Sequence, residues 1–238
     1  MKWLPYKLKY IQQNKLEPYI IDNMSDDGSW EWLQENNVPS HRFDTGGSFH
    51  LRKLQEEIIK TTHKIKPDWV VYNGCDLFPV TLNPLRDEII KIDKAGFNTI
   101  RGKVIHLRNT GEKENQESPF HTYFYYRENR IRHPNKWIHK YIPSYSYGAD
   151  QIKKMPNEKL FHLDGIMIEY GNTETAEERI KTVERRKKAW REGLPKSCGN
   201  HYRRVNPENW VKNKKNCIDI RTTEYEKYIK KLQKLVDD

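Results

Sequence analysis

Cysteine is scarce in this sequence, and long apolar runs are missing altogether. The three cysteines, Cys75, Cys198 and Cys217, stand without CxxC or Cys/His spacing. That excludes a disulfide-stapled miniprotein and a structural zinc, and it reads as reduced thiols in a cytoplasmic protein. No run of eighteen apolar residues occurs, so no membrane-spanning helix is expected. The opening MKWLPYKLKY has no apolar signal core. Neither an internal repeat nor a low-complexity linker interrupts the chain. What is there is a chain of 238 residues, 35% hydrophobic and 32% charged, with an aromatic content of 12% that includes seven Trp and fourteen Tyr. A disordered basic tail does not carry such aromatics, so a folded domain with a real core is expected.

Charge of one sign is in excess, at a formal +10. From Gly171 onward eighteen Lys/Arg face eleven Asp/Glu, whereas residues 1–170 hold twenty-five against twenty-two. The basic character belongs mainly to the last third. This asymmetry divides the chain into a core over 1–170 and a basic helical C-terminal extension over 171–238, packed on that core.

Apolar periodicity lays out the elements. Leu4, Leu8 and Ile11 fall on one face of a short helix from about Trp3 to Gln13, with Pro5 tolerated in its first turn. The run Pro18-Tyr19-Ile20-Ile21 reads as a strand that ends in the polar stretch Asp22 to Ser29, after which a helix with Trp30 and Leu33 starts from Asp27 or Ser29 as N-cap. A helix over Leu51 to Lys64 leads to Trp69-Val70-Val71-Tyr72, a continuous apolar run expected as a buried parallel strand ending at Asp76. A helix over Leu85 to Ala95 precedes Asn98 to Leu107 and His121 to Tyr126, which read as antiparallel or edge strands, and Leu160 to Tyr170 as one more strand. Capping boxes at Thr175 to Glu178 and Thr223 to Glu226 open two further helices. The first has Ala176, Ile180, Val183 and Trp190 inside and Arg185, Arg186, Lys187 and Lys188 mostly outside; the second has Tyr225, Ile229, Leu232 and Val236 inside. Strands alternating with helices give an α/β fold class.

Two strand ends carry chemistry. In an open α/β sheet, ligands bind beyond the carboxyl ends of the strands, and Asp22-Asn23 and Asp76 each follow an apolar run directly. A carboxylate and a carboxamide there suit a base or ribose, and a second carboxylate suits a divalent cation that neutralises phosphates. The competing reading is local: Asp22, Ser25 and Asp27 close turns and cap a helix.

These residues also resemble a family. The stretch YIIDNMSDDGSWEWL resembles the nucleotide-binding segment of family-2-like glycosyltransferases of the GT-A fold, where a strand ends in a D-[DN]-x-S-x-D-G-[ST] loop. DWVVYNGCDLF looks like the strand carrying that family's D-x-D metal motif, but the register here gives Gly74-Cys75-Asp76 and keeps only the last acid. FNTIRGKVIHLRNTGE is similar to the acceptor-side strand region, and DGIMIEYGNTETAEERIKTVERRKKAW to the C-terminal strand and helix. The resemblance covers roughly residues 3–202. It implies a GT-A-like (Rossmann-related) mixed sheet flanked by helices, with nucleoside contacts from Asp22, Asn23 and Ser25 and a cation-facing or ribose-facing Asp76. Glu169 stands where the family often has His and is either a metal-facing ligand or a surface strand residue. His201 is a possible ligand, phosphate contact or acceptor-site residue. Family members begin with a strand and an N-E-x-x-x-[LI] segment ahead of the helix that here starts at Trp3. The resemblance thus implies that a central first strand is lacking, with an exposed sheet edge in its place.

The implied reaction moves a sugar from a nucleotide-activated donor to an acceptor hydroxyl on a saccharide or glycan carrier, assisted by Mn2+ or Mg2+. Arg52, Lys53 and Lys140 are cations that could meet the diphosphate, unless they are simply solvated. For the base that activates the acceptor, Asp164, Glu169 and Glu112 are all candidates. His139, close after Trp137, either borders the acceptor or is packed. The alternative function is nucleic-acid binding through the basic C-terminal region, with Tyr123, Tyr125, Tyr145 and Tyr147 as stacking surfaces. A third possibility, compatible with the first, is peripheral attachment of the basic helices to anionic lipid.

Overall fold

The computed structural model describes residues 2–46, 51–111, 119–127, 132–144, 146–148, 151–171, 173, 175, 177–181, 183–184 and 214–237. In chain order the elements are α1 (Leu4–Gln13), β1 (Ile20–Asp22), α2 (Ser29–Glu35), β2 (Ser40–Arg42), α3 (Leu51–Ile65), β3 (Trp69–Val71), β4 (Leu77–Val80), α4 (Leu85–Lys94), β5 (Thr99–Arg108), β6 (Tyr125–Tyr126), β7 (Arg132–Lys140), β8 (Ser146–Gly148), β9 (Gln151–Lys154), β10 (Leu160–Glu169), β11 (Ile218–Asp219) and α5 (Glu226–Asp237). The fold is mixed α/β, and its main sheet is mostly antiparallel. Two compact units share these elements. One holds the described residues of 18–65 and 174–211, the other those of 2–17, 66–173 and 212–238. The segment from 171 onward contributes to both.

In the first unit β1 and β2 pair in parallel, Ile20 with Ser40 through Asp22 with Arg42, joined by α2. Such a pair needs a crossover, and α2 provides it. The cap of α2 is neither Asp27 nor Ser29 but Gly28, whose φ of +81° costs a glycine little. Asp27 acts one residue earlier, accepting the Ser29 amide at 3.1 Å. Leu33 is the buried residue of this helix, and Asn37, at φ +51°, turns the chain out of it. The box at Thr175 closes both ways: the Thr175 amide donates to Glu178 Oε2 at 2.7 Å and the Glu178 amide to Thr175 Oγ1 at 3.2 Å. In the helical stretch that follows, Arg179 and Val183 are buried and Ile180, expected inside, is 40% exposed. The buried face is set by the pair four apart, 179 and 183, which turns Ile180 outward. Ala176, Trp190 and Arg185 to Lys188 lie outside the described residues.

The second unit is built on a seven-stranded sheet. At its centre β5 pairs in parallel with β10 on one side and antiparallel with β7 and β6 on the other. β4 extends the sheet beyond β10, and β3 lies beyond β7. Two expectations are corrected here. Trp69–Val71 is an antiparallel, half-buried strand rather than a buried parallel one, because its sheet partner is β7. Residues 99–108 form the central strand rather than an added edge, and their near-continuous burial follows from packed layers on both faces. β10 spans the expected stretch.

Side chains alternate between two cores as the pleat requires. Ile105, Leu107, Ile166, Ile168, Phe78 and Val80 face one core, which α1 and α5 complete through Tyr10, Tyr228, Ile229, Leu232 and Val236. Val104, Ile100, Met167 and Leu77 face the other, filled by Leu85, Ile89 and Ile92 of α4. Phe120 sits in the first core with Tyr6, Phe78 and Tyr170 at 5.2, 5.2 and 4.9 Å, each edge to face, the arrangement that aromatic quadrupoles favour. Asn14, at the end of α1, accepts the amide of Leu85 at 2.8 Å and so caps the start of α4. Lys9 donates to the carbonyls of Val236 and Asp237 at 3.1 and 3.2 Å, placing positive charge at the C-terminal end of α5. The second expected capping box is not made, since Thr223 Oγ1 accepts from Tyr225 and Glu226 pairs with Lys230. The predicted inner face, Tyr225, Ile229, Leu232 and Val236, is buried. Among the described residues no helix is long and apolar enough to cross a membrane.

Two glycines of the sheet separate by what surrounds them. A Cβ on Gly165 would meet the Val80 carbonyl oxygen at 2.6 Å, whereas one on Gly102 would meet the flexible Met167 Cε at 3.0 Å. Gly165→Ala is therefore expected to cost about 1–3 kcal/mol in urea unfolding and Gly102→Ala less; equal costs would show that the β10–β4 approach is not tight.

Candidate functional site

The end of β1 is a closed polar loop. Asp22 is 5% exposed. Its carboxylate accepts the Ser25 amide at 3.2 and 3.3 Å and Nε of Arg42, its register partner on β2, at 3.0 Å. Arg42 also donates to the Ser25 carbonyl at 2.8 Å, and its guanidinium lies 5.4 Å from the Trp30 ring. Asn23 Oδ1 accepts the Thr45 hydroxyl at 2.9 Å. Asp22 thus closes the turn, as the local reading expects, and it also pairs with Arg42, which that reading did not include. Asn23 and Ser25 are half-buried beside it. Asp22 and Asp76 belong to different units.

In the second unit the turn between β3 and β4 meets the end of β10. Past the Leu77–Glu169 pair, the Tyr170 amide donates to the Asp76 carbonyl at 2.9 Å, so the ladder carries Asp76 to the strand end. Its carboxylate lies between two glycines. A Cβ on Gly74 would meet Oδ1 at 2.8 Å, and one on Gly171 would meet Oδ2 at 2.3 Å and Glu169 Oε1 at 3.3 Å. Asp76 and Glu169, far apart in sequence, therefore both pack close to Gly171, and the Asp76 carboxylate takes up the room that a side chain at 171 would need. The other oxygen of Glu169, Oε2, is 2.6 Å from His106 Nδ1.

Behind the turn lies a buried cation. Lys7 of α1, 4% exposed, donates to the Leu77 carbonyl, and its Nζ stands 4.7 Å from the Phe78 ring centre. Burial pushes its pKa down to about 8, against the raising influence of Cys75 and Asp76. Tyr170, buried in the aromatic core, has its hydroxyl pKa raised by burial, and that hydroxyl finds no hydrogen-bond partner among the described residues.

The remaining candidates lie apart from this cluster or outside what is described. Asp164 is on β10, roughly 15 Å along the strand from Glu169 at ordinary strand rise, and accepts the Tyr228 hydroxyl at 3.1 Å. Arg52 pairs with Glu56 at 3.2 Å and Lys140 with Asp93 at 2.7 Å, both on the surface. Lys53 donates to the Thr45 carbonyl at 3.3 Å. His139 is packed, fully buried against its own strand, with burial pushing its pKa down to about 4. Tyr123, offered as a stacking surface, is 1% exposed and belongs to the core. Glu112, His201 and Tyr145, and the side chain of Tyr147, lie outside the described residues.

Sequence reasoning missed Lys7 and His106. Lys7 had a signal: it falls at helical spacing within the stripe Leu4, Leu8, Ile11, where a charge is out of place. His106 had none, because its contact follows from the parallel register His106–Glu169. As to metals, no group of three or more His, Cys, Asp or Glu among the described residues is arranged to hold one. The pair beside Gly171 offers hard oxygen donors, the Asp76 carboxylate standing where only a glycine at 171 gives it room. That suits Mg2+ or Mn2+, which take one or two carboxylates and complete their shell with water and substrate phosphate. Compared with protein-family models and with curated protein sequences, the chain matches none.

The buried Lys7 gives a pH signature. Below about pH 8 the ammonium is charged in folded and unfolded chains alike, and the fold bears the full cost of burying it. Between about 8 and the ordinary 10.5 the unfolded chain keeps a proton that the fold releases, so stability rises with pH, then levels off. Wild type is expected to gain about 3 kcal/mol relative to Lys7→Met across that window in urea unfolding; a constant difference would show that Lys7 titrates as an exposed lysine does.

Proposed function

We propose that this protein is a glycosyltransferase that moves a sugar from a nucleoside-diphosphate donor to an acceptor hydroxyl, with its α/β fold serving as a GT-A-type domain. The observation that carries the reading is the meeting of Asp76 and Glu169 at Gly171. A departing diphosphate needs concentrated positive charge, and two carboxylates at a strand end are suited to recruit it as a divalent cation. Asp76 and Glu169 would hold that ion, which would neutralise the leaving group when bound. Gly171 gives the Asp76 carboxylate its room, and the buried Lys7 offsets part of its charge from behind. The loop after β1 enters through the sequence resemblance alone, with Asn23 and Ser25 as its nucleoside contacts. A saccharide or glycan-carrier acceptor, a cytoplasmic location and peripheral contact with anionic lipid belong to the same reading.

Thermal unfolding with UDP, GDP, ADP and CDP, each with and without Mn2+, tests it. At least one nucleotide is expected to raise the unfolding temperature by roughly 5 °C near a hundred times its Kd, with a further rise in Mn2+ that Asp76→Asn removes. No shift with any nucleotide sinks the proposal. Salt-sensitive retention on generic DNA or RNA, indifferent to Asp76→Asn, would point to nucleic acid instead.

A further inference from the structure

His106 and Glu169 are register partners in the parallel β5–β10 pair. Side chains opposite one another on a sheet face are neighbours, and these two meet at 2.6 Å, with 13% and 25% of their side chains exposed. The second ring nitrogen, Nε2, is buried and has no hydrogen-bond partner among the described residues. A buried N–H without an acceptor is costly, so the bonding pattern assigns the proton to Nδ1, from which it is donated to Glu169 Oε2. That bond occupies one oxygen of Glu169. The other, Oε1, lies 3.3 Å from where a Gly171 Cβ would stand, and Asp76 Oδ2 lies 2.3 Å from the same position.

We propose that His106 is a positioning residue: by engaging one oxygen of Glu169 it turns the other toward Asp76, so that both carboxylates address one cation. The inference rests on the reading of Asp76 and Glu169 as the cation-holding pair. A glutamate at a strand end has three side-chain torsions to fix, and a partly exposed one spends much of its time in solvent. A hydrogen bond from a neighbouring strand, set by the ladder, removes that freedom. Partners of this kind behind a metal-binding carboxylate are worth about ten- to a hundredfold in metal affinity.

The test needs no turnover. Mn2+ is titrated against the whole chain in the presence of whichever of UDP, GDP, ADP or CDP stabilises it most, with the unfolding temperature as the readout. His106→Phe keeps the bulk and removes the donor; His106→Asn keeps an N–H near the position of Nδ1. The Phe variant is expected to need about tenfold more Mn2+ or beyond for the half-maximal shift, and the Asn variant to stay close to wild type. His106→Leu takes the place of the Phe variant if the latter does not fold. A wild-type midpoint in the Phe or Leu variant overturns the inference, as does an Asn variant as weak as either. If Asp76→Asn abolishes the Mn2+ effect while the Phe variant keeps it, only the role of His106 is lost. If wild type shows no Mn2+ effect at all, the cation reading fails and the inference with it.

Discussion

The parallel pairing of β5 with β10 is the constraint on which the second unit depends. Parallel neighbours cannot be joined by a tight turn, so the chain must leave the end of β5 and travel back to the start of β10. The excursion is not idle, because it supplies β6 and β7, which pair with the far side of β5. β5 thereby becomes a strand with partners on both edges and packed layers on both faces. The same register sends Ile166 and Ile168 to the core under α1 and α5, and Met167 to the one under α4. A slip of one residue would exchange those faces. It would also separate His106 from Glu169, so the packing of the cores and the geometry at the strand end are settled together.

The polar chemistry is arranged around that frame by desolvation. Among the described residues a buried lysine, Lys7, stands behind Asp76, held by the Leu77 carbonyl and the face of Phe78. In the first unit an arginine plays the matching part for Asp22, as a visible ion pair at 3.0 Å that closes a loop. The two aspartates differ in setting: Asp22 ends β1 and pairs with Arg42, whereas Asp76 lies in the turn before β4, its carboxylate packed against Gly171 near Glu169.

That contrast marks how far the sequence could be read. Elements with a strong apolar stripe were legible to within a residue or two: α1, α3, α4 and α5 follow the spacing of Leu4 and Leu8, Leu54 and Ile58, Ile89 and Ile92, and Ile229 and Leu232. One polar strand end was legible as well, Asp22 at the end of β1, whereas Asp76 lies in the turn that leads into β4, a strand not expected. Partnership was not legible. Whether Trp69–Val71 ran parallel or antiparallel depended on β7, which carried too many Pro, His and Tyr neighbours to assign. Arg42 as the consumer of Asp22, and His106 as the partner of Glu169, each depend on a strand register, a property of two segments at once that no single window of sequence encodes. Val183 is buried as expected, but Arg179 rather than Ile180 shares its face, and Ile180 is turned out.

The contact between α1 and α5 has a consequence for how the chain is made. Lys9 reaches carbonyls near the other end of the sequence, and Tyr10 shares a core with Leu232 and Val236. During synthesis, α1 can dock on β4 and α4 before α5, far downstream, has been made, but its contacts with α5 must wait for it. Until then the aromatic core around Phe120 lacks the wall that α5 supplies. Assembly of this layer is bound to come late, after the sheet, and the nascent protein is most exposed to aggregation in that interval.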